Sequence, residues 1–284
     1  MLSLRHFIPS WSFIALLLAI YLSFLAFLTI FQDRLIFFPE KMTEERWQEV
    51  AEELHGDYVT IRTNEEGVHL QGWFFPAQSE PESEPQPRST IIFFGGNAMR
   101  LDLMAYLLDP LRDAGVHILL VDYRGYGLSE GKPSAETMKA DAVKLFDAAA
   151  AHPSVDARHI IAWGYSLGTG VAAHLASVRP VSKIILFAPF TSTTEIAKNL
   201  FPFVPVSLLL QYKLDTLALA PALAQPVLIV AGEKDGEISK EHAKRIAEAW
   251  GGPKELLVLP EQGHDDLLGD EGTWKKLVEF VQHP

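Results

Sequence analysis

Residues 160–170 read IIAWGYSLGTG, an apolar run of strand type that turns at Ser166 into a helix-like segment, Leu167–Val178. A G-x-S-x-G pentapeptide is common, but here a buried-strand pattern precedes it and small residues follow it. A serine on such a tight turn projects its hydroxyl above the sheet edge, while Gly164 and Gly168 permit a strained backbone and close helix packing. We therefore predict a nucleophile at Ser166 rather than an ordinary glycine-rich turn.

Short apolar runs alternate with helix-length segments around this turn. The predicted strands are Ile91–Phe94, Val116–Val121, His159–Trp163, Lys183–Phe187, Val227–Val230 and Leu256–Leu259. The predicted helices are Leu101–Ala114, Ala135–Ala151, Leu167–Val178, Lys240–Trp250 and Thr273–Gln282. This alternation predicts an α/β fold whose mostly parallel central sheet is covered by helices on both faces, with ligands bound at the carboxyl ends of the strands.

The sequence before these strands predicts further elements of the same domain. Thr43 is suited to cap a helix that ends near Leu54, and two strands, Tyr58–Ile61 and His69–Phe75, follow. The segment Ala77–Ser89 is rich in proline, glutamate and serine, which predicts an exposed, mobile loop within the domain.

A serine nucleophile needs a base and an acid that orients the base, and both have candidates after later strands. Asp235 follows the predicted strand at 227–230, and His264 follows the strand at 256–259. The chain order Ser166, Asp235, His264 is the order expected when a triad is built on an α/β sheet. The histidine would accept the serine proton, and the aspartate would hold the required tautomer.

Other titratable residues compete for these roles. Glu233, Glu237, Asp265 and Asp266 are the rival acids. Among the other histidines, His117 and His159 begin strands and so face the wrong end of the sheet, whereas His174 lies within the helix after Ser166.

The oxyanion of the reaction requires backbone N–H donors close to the nucleophile. We predict the Leu167 N–H as one donor and the Asn97 N–H, in the turn Gly95-Gly96-Asn97, as the other, with Gly96 as the next choice. An ordinary strand-to-helix turn is the alternative. Near it, an Asp122–Arg124 charge pair is expected to brace the scaffold.

A long apolar segment near the N-terminus indicates a contact with a membrane. Residues 12–31 read SFIALLLAIYLSFLAFLTIF, which is long enough to cross a bilayer and is apolar on every face. A cleaved signal peptide and a buried core helix are the alternatives. We predict an uncleaved single-pass anchor over residues 1–33, before a catalytic domain at 34–284. The positive charges on its two sides give no clear orientation, and we favour the exported side for the domain.

The composition of the chain limits the classes of partner and cofactor that it could bind. The chain has 284 residues and a net charge of −12, which argues against nucleic acid as a partner. Cysteine is absent, which excludes disulfides and thiolate chemistry. The chemistry proposed for Ser166 requires no metal or organic cofactor.

The segment Phe190–Leu223 is too long for a simple connection between strands and contains the apolar run NLFPFVPVSLLL. It is interpreted as a small cap over the site, as a patch that dips into the membrane, or as a plain packed helix.

Taken together, the chain resembles the α/β-hydrolase superfamily, in particular the single-pass, membrane-anchored serine hydrolases akin to serine aminopeptidase-like proteins and protein depalmitoylases. The resemblance runs from LIFFP at 35–39 to the last helix and depends on GGNA at 95–98, DYRGYG at 122–127, GYSLG at 164–168 and the Asp235 and His264 loops. Gly95 departs from the pattern, because relatives often carry histidine there.

The resemblance implies hydrolysis of an ester, thioester or amide, although such relatives differ widely in substrate. The apolar segment Phe190–Leu223 beside a bilayer favours a small-molecule or acylated, lipid-like substrate. A peptidase or acyltransferase using the same triad is the enzymatic alternative. A catalytically silent, membrane-bound binding protein is the alternative from another class.

Overall fold

The computed structural model describes residues 11–78 and 87–282, which form one eight-stranded sheet with helices on both faces. The strands are β1 Asp57–Arg62, β2 His69–Phe75, β3 Arg88–Phe94, β4 His117–Val121, β5 Val155–Tyr165, β6 Lys183–Phe187, β7 Val227–Gly232 and β8 Lys254–Leu259. Their order across the sheet is β1-β2-β4-β3-β5-β6-β7-β8. The β1–β2 and β2–β4 pairs are antiparallel, and every other pair is parallel. The predicted α/β fold with a mostly parallel sheet is therefore confirmed.

The helices account for the segments that join these strands. They are α1 Trp11–Ile36, α2 Glu44–Leu54, α3 Leu101–Leu108, α4 Pro110–Asp113, α5 Ala135–Ala150, α6 Leu167–Val178, α7 Thr193–Leu200, α8 Val206–Leu209, α9 Thr216–Leu219, α10 Lys240–Ala249 and α11 Glu271–Gln282. One predicted helix, Leu101–Ala114, is divided in two because Pro110 lacks the N–H that a continuous helix requires.

The sheet has a buried apolar cluster on each face, as period-two side-chain alternation requires. In β5, Ile160 and Ala162 belong to one cluster, while Ile161 and Trp163 belong to the other. The central strands are thus covered on both sides, and the carboxyl ends of β3 to β8 meet at one edge of the sheet.

Helix α1 is largely exposed although its sequence is apolar. It is 26 residues long, and Gln32 is the one buried residue that it contains. At about 1.5 Å per residue, this length exceeds the roughly 30 Å core of a bilayer. Among the described residues, α1 is the one helix long and apolar enough to cross a membrane.

The connection between β6 and β7 contains three short helices, α7, α8 and α9, rather than one packed helix. Several large apolar side chains of this connection are exposed. Leu200 is 69% exposed, Phe203 87% and Leu208 84%. We call residues 200–210 the cap segment.

Two expectations from the sequence need adjustment. The predicted loop Ala77–Ser89 ends before Ser89, because β3 already begins at Arg88. Residues 79–86 of the loop lie outside the described part of the chain.

The predicted Asp122–Arg124 charge pair is wrong. Arg124 instead donates to both carboxylate oxygens of Asp141, at 2.8 and 2.9 Å, and to Glu65 at 2.7 Å. The fork of a guanidinium suits such a bidentate partner better than the neighbouring Asp122.

Candidate active site

Ser166 lies on the turn between β5 and α6 with a strained backbone. Its φ is 50° and its ψ is −117°, a region that non-glycine residues rarely occupy. Its N–H donates to the Phe187 carbonyl at 2.8 Å, which fixes the turn to the end of β6. The hydroxyl therefore stands at the carboxyl edge of the sheet, as the sequence predicted from the strand and helix on either side.

The flanking glycines are required by close backbone contacts. A Cβ added to Gly164 would lie 2.3 Å from the Gly168 carbonyl oxygen, and one added to Gly168 would lie 1.9 Å from the Phe94 oxygen. Real Cβ atoms do not come so close to backbone oxygens, so any larger residue would push α6 away from β3 and β5. The glycines thus hold the helix that carries the serine against the sheet.

The structure brings Ser166, Asp235 and His264 together. Ser166 Oγ is 3.0 Å from His264 Nε2, and His264 Nδ1 is 2.8 Å from Asp235 Oδ2. Because the Asp235 carboxylate can only accept, Nδ1 carries the proton and Nε2 is left to accept from the serine hydroxyl. The side chains of Asp235 and His264 are 1% and 9% exposed, so the hydrogen bond between them is shielded from water.

The loop after β7 orients Asp235 in turn. Its second oxygen, Oδ1, accepts from the backbone N–H groups of Ile238 at 2.7 Å and Glu237 at 2.8 Å. Both carboxylate oxygens therefore have partners, which a buried charge needs. Two of the rival acids have other partners: Glu233 pairs with Lys240, and Asp266 accepts from the Gly263 N–H.

Burial and charge act in opposite directions on this pair. Burial alone lowers the pKa of His264, but the hydrogen bond and charge of Asp235 outweigh it and raise that pKa above 6.5, and Glu237 adds to the rise. Burial raises the pKa of Asp235, but the His264 hydrogen bond and the two backbone donors prevail and lower it. The acid is therefore an anion at neutral pH, and the imidazole is a stronger base than free histidine.

Two further residues touch the histidine, and sequence analysis did not assign either to this role. The Tyr165 hydroxyl donates to the His264 carbonyl oxygen, and the two rings meet edge to face with centroids 6.2 Å apart. Glu237 Oε2 lies 3.8 Å from His264 Nε2, on the side where Ser166 also sits. Tyr165 is the second residue of the G-x-S-x-G motif, but its contact with residue 264 depends on the fold and has no sequence signal.

The turn after β3 lies against the nucleophile. A Cβ added to Gly96 would be 3.5 Å from Ser166 Cβ. Asn97 holds the turn in place, because its carbonyl accepts from the Phe38 N–H at 3.2 Å and the Tyr126 hydroxyl at 2.6 Å. Its side-chain Nδ2 donates to the Ile36 carbonyl at 3.1 Å. Within residues 11–78 and 87–282, neither the Asn97 nor the Leu167 N–H has an assigned acceptor. Their role at an oxyanion stays a prediction.

Asp122 lies behind this turn. It is 4% exposed, and its Oδ2 has no hydrogen-bond partner in the part of the chain that the structure describes. Burial, and secondarily the charge of Asp102, raise the pKa of Asp122 to about 7. It borders a cavity of about 210 Å³, lined also by Lys41, Arg46 and Arg100, that does not include Ser166. Asp122 is therefore separate from the triad.

The other candidates from the sequence lie away from the triad. His117 bonds to the Ser154 carbonyl, and His159 pairs with Asp156, at the opposite end of the strands. Among the described residues, no group of three or more histidine and acidic side chains is arranged to hold a metal ion.

A family model described as serine aminopeptidase, S33, matches residues 85–217 of this chain. That range includes the Gly96 turn and Ser166, whereas Asp235 and His264 follow it. An uncharacterized protein of Mycobacterium tuberculosis (strain H37Rv) is 32% identical over 235 residues, which cover 83% of this chain and 81% of that protein. The alpha/beta hydrolase domain-containing protein WAV2 of Arabidopsis thaliana is 27% identical and covers 90% of this chain and 89% of its own.

Solved structures share the same architecture. The Pyrococcus furiosus esterase Pf2001 superposes with a TM-score of 0.66 at 18% identity, covering 87% of this chain and 97% of its own. The 2,6-dihydroxy-pseudo-oxynicotine hydrolase superposes with a TM-score of 0.68 at 16% identity, and the match covers 83% of this chain and 70% of that one. At these identities the likeness concerns the fold.

Proposed function

Since the chain belongs to the α/β-hydrolase superfamily, we propose that it is a membrane-anchored serine hydrolase that cleaves an ester, thioester or amide through an acyl-enzyme. A carboxylic ester is the favoured substrate. The observation that carries the proposal is the pair of hydrogen bonds made by His264, at 3.0 Å to Ser166 Oγ and 2.8 Å to Asp235 Oδ2.

The mechanism follows from these contacts. Ser166 Oγ attacks the carbonyl carbon while His264 Nε2 takes its proton, and Asp235 stabilises the imidazolium that forms. The Leu167 and Asn97 N–H groups would donate to the oxyanion. Nε2 then returns the proton to the leaving alcohol, thiol or amine, which departs. Water, deprotonated by the same nitrogen, cleaves the acyl-serine and regenerates the enzyme.

The strained backbone of Ser166 supports this role. A residue held at φ 50° costs of the order of 1–3 kcal/mol, and such strain is concentrated at functional positions. In this backbone conformation the serine side chain makes no capping hydrogen bond with its own helix.

A fluorophosphonate probe tests the proposal directly, because it phosphonylates only an activated serine. We expect the full-length protein to be labelled and Ser166→Ala to lose the label. Ser177→Ala, an exposed serine on the same helix, should label like the wild type. A folded wild-type protein that takes no label would contradict the proposal and favour a catalytically silent binding protein.

The kind of bond can be read from products. p-Nitrophenyl esters of increasing chain length, an acyl thioester and an aminoacyl anilide should be cleaved at rates that rank the three leaving groups. Acyl transfer to an added alcohol in preference to water would identify the enzyme as an acyltransferase.

The membrane anchor and its orientation are part of the same proposal. The length and apolar surface of α1 support an anchor, and the exported side is the hypothesis for the catalytic domain. Because the chain lacks cysteine, a single cysteine placed at exposed Arg158 should react in intact cells with a membrane-impermeant maleimide. Reaction only after cell lysis would place the domain on the cytoplasmic side.

A further inference from the structure

Helix α1 is joined to the cap segment at the level of Gln32. This glutamine is 7% exposed and is the buried residue of α1, whereas the residues around it on the helix are half-buried or exposed. Its Nε2 donates to the carbonyls of Thr29 at 2.9 Å and Leu209 at 3.3 Å, and its Oε1 accepts from the Gln211 N–H at 2.8 Å. One polar side chain therefore fastens the end of the cap segment to the helix.

A second contact lies further along the same helix. The Tyr21 hydroxyl donates to the Phe203 carbonyl at 2.7 Å. Tyr21 and Gln32 are separated by eleven residues, which corresponds to roughly 16 Å along a helix. The cap segment therefore follows α1 over about half the thickness of a bilayer core.

The cap segment has the surface and the backbone of a membrane-inserted element. The chain carries no charge between Lys198 and Lys213, and the side chains of Phe203 and Leu208 are almost fully exposed. Most of its N–H groups donate within the segment or to the end of α7, and its prolines have none to satisfy. The donors are Phe201, Val204, Val206, Leu208, Leu209 and Leu210.

Irregular backbone is costly in hydrocarbon because its polar groups lack water. Here the internal hydrogen bonds, together with the Tyr21–Phe203 and Gln32–Leu209 contacts, remove most of that cost. In water, by contrast, the apolar side chains would stay hydrated with no compensating gain.

We propose that the cap segment is a second membrane-inserted element, which enters one leaflet beside α1 and presents acyl chains of bilayer-resident esters to Ser166. The inference rests on the proposed anchor and deepens the proposed hydrolase. Gln32 precedes Asp33 and Arg34, so the hydrocarbon boundary falls near it. Tyr21 and Phe203 then lie near the middle of the bilayer.

The active site is connected to this surface at short range. The last turn of α1 accepts from Asn97 Nδ2, and Asn97 belongs to the turn that contacts Ser166. The Phe37 ring packs edge to face on Tyr212, which directly follows the Gln32 contact, with centroids 5.1 Å apart. The candidate site and the cap segment are therefore both linked to the last turns of α1, which places Ser166 beside the surface proposed to enter the leaflet.

Single-cysteine variants of the cysteine-free chain test the insertion. Phe203→Cys and Leu208→Cys, labelled with an environment-sensitive fluorophore in phosphatidylcholine proteoliposomes, should be quenched by lipids that carry a nitroxide on the acyl chain. Leu18→Cys in α1 serves as the membrane control. Arg158→Cys, whose native side chain is 84% exposed at the far end of β5, serves as the aqueous control.

The outcomes separate the two claims. Quenching of positions 203 and 208 by lipid, to a degree similar to position 18, supports the insertion. If positions 203 and 208 are quenched by aqueous iodide like position 158 while position 18 is quenched by lipid, the inference is overturned and the anchor stands. If position 18 is also quenched by iodide, both fail. In every variant, fluorophosphonate labelling of Ser166 measures separately whether the triad is active.

A kinetic measurement tests the delivery of substrate. Phe203→Asp/Leu208→Asp should lower cleavage of a long-chain ester in vesicles by about tenfold or more, because a carboxylate opposes insertion. Cleavage of soluble p-nitrophenyl acetate should not change. Phe203→Leu/Leu208→Met, which keeps the surface apolar, should match the wild type on both substrates. Unchanged vesicle activity in the double aspartate variant would contradict the proposal.

Discussion

The triad region and the α1–cap region of this protein are built on opposite principles. Around Ser166 the side chains of Asp235 and His264 are buried and hydrogen-bonded, the backbone is strained, and glycines allow contacts that no other residue permits. Along α1 and the cap segment, apolar side chains are exposed, and a few side-chain hydrogen bonds join the two elements. The first arrangement is stable in water, because the sheet supplies its partners. The second would be stabilised by the apolar surroundings that the proposed membrane insertion supplies.

The largest effect is expected at the acid of the triad. Asp235→Asn removes the charge that stabilises the imidazolium and allows the wrong tautomer of His264, so hydrolysis should fall by about three to four orders of magnitude. Rates on p-nitrophenyl acetate would measure it. Asp266→Asn, in the neighbouring loop, is the matched control and should fall far less. Equal losses in both variants would show that the loop, rather than the pair, controls the rate.

The glycine contacts predict a large effect on stability. Gly168→Ala would place a Cβ 1.9 Å from the Phe94 carbonyl, which should lower the free energy of unfolding by about 3 kcal/mol as α6 moves off the sheet. Gly269→Ala, which has no neighbour within 4 Å, is the control and should stay within about 0.5 kcal/mol of the wild type. Thermal melting in detergent would compare them. Equal melting temperatures would mean that the helix can move without cost.

The pH dependence of hydrolysis should reveal the charge beside His264. The imidazole must be neutral to take the serine proton, and its pKa is raised above 6.5, so activity should be lost as the pH falls through that raised value. The same rise stabilises the fold below pH 6.5, and this contribution disappears as the pH rises through the raised pKa. Glu237→Gln removes one cause of the raised His264 pKa, so the loss of hydrolysis at acidic pH should begin at a lower pH.

Two controls test whether the Glu237 charge causes this shift in the pH midpoint of hydrolysis: a substitution of another nearby glutamate, and a change of ionic strength. Glu261→Gln, which removes an exposed partner of Lys234, should leave the midpoint where it is. The Glu237 effect should shrink at high ionic strength, because that side chain is largely exposed. A midpoint that does not respond to Glu237→Gln would leave Asp235 as the main source of the raised pKa.

The smallest effect belongs to the α1–cap region. Gln32→Ala leaves the Gln211 N–H without its acceptor, which should cost about 1 kcal/mol and speed amide exchange at Gln211 about fivefold. Thr29→Val, which removes a hydroxyl bonded within α1, should not change exchange at that amide. Unchanged protection in Gln32→Ala would show that lipid or packing, and not this side chain, holds the cap to the helix.

Much of this protein could be predicted from local sequence. The strands, most helices, the Thr43 cap and the turn at Ser166 depend on residues close in the chain, where periodicity and turn chemistry act. The break at Pro110 could have been found, because proline removes a helical donor. The order Ser166, Asp235, His264 could be predicted too, since each residue follows a strand and the strand ends share an edge.

The sequence alone determined where the strands end and which residue types stand there, because both depend on neighbours in the chain. Tertiary structure decided which side chains meet: Arg124 with Asp141 rather than Asp122, Tyr165 with the backbone of His264, and Tyr21 with the cap segment. These partners lie 17, 99 and 182 residues apart, and their contact depends on strand order and helix packing. A local sequence pattern does not indicate contacts between residues so far apart in the chain. Only the folded structure therefore shows that α1 lies beside the cap segment.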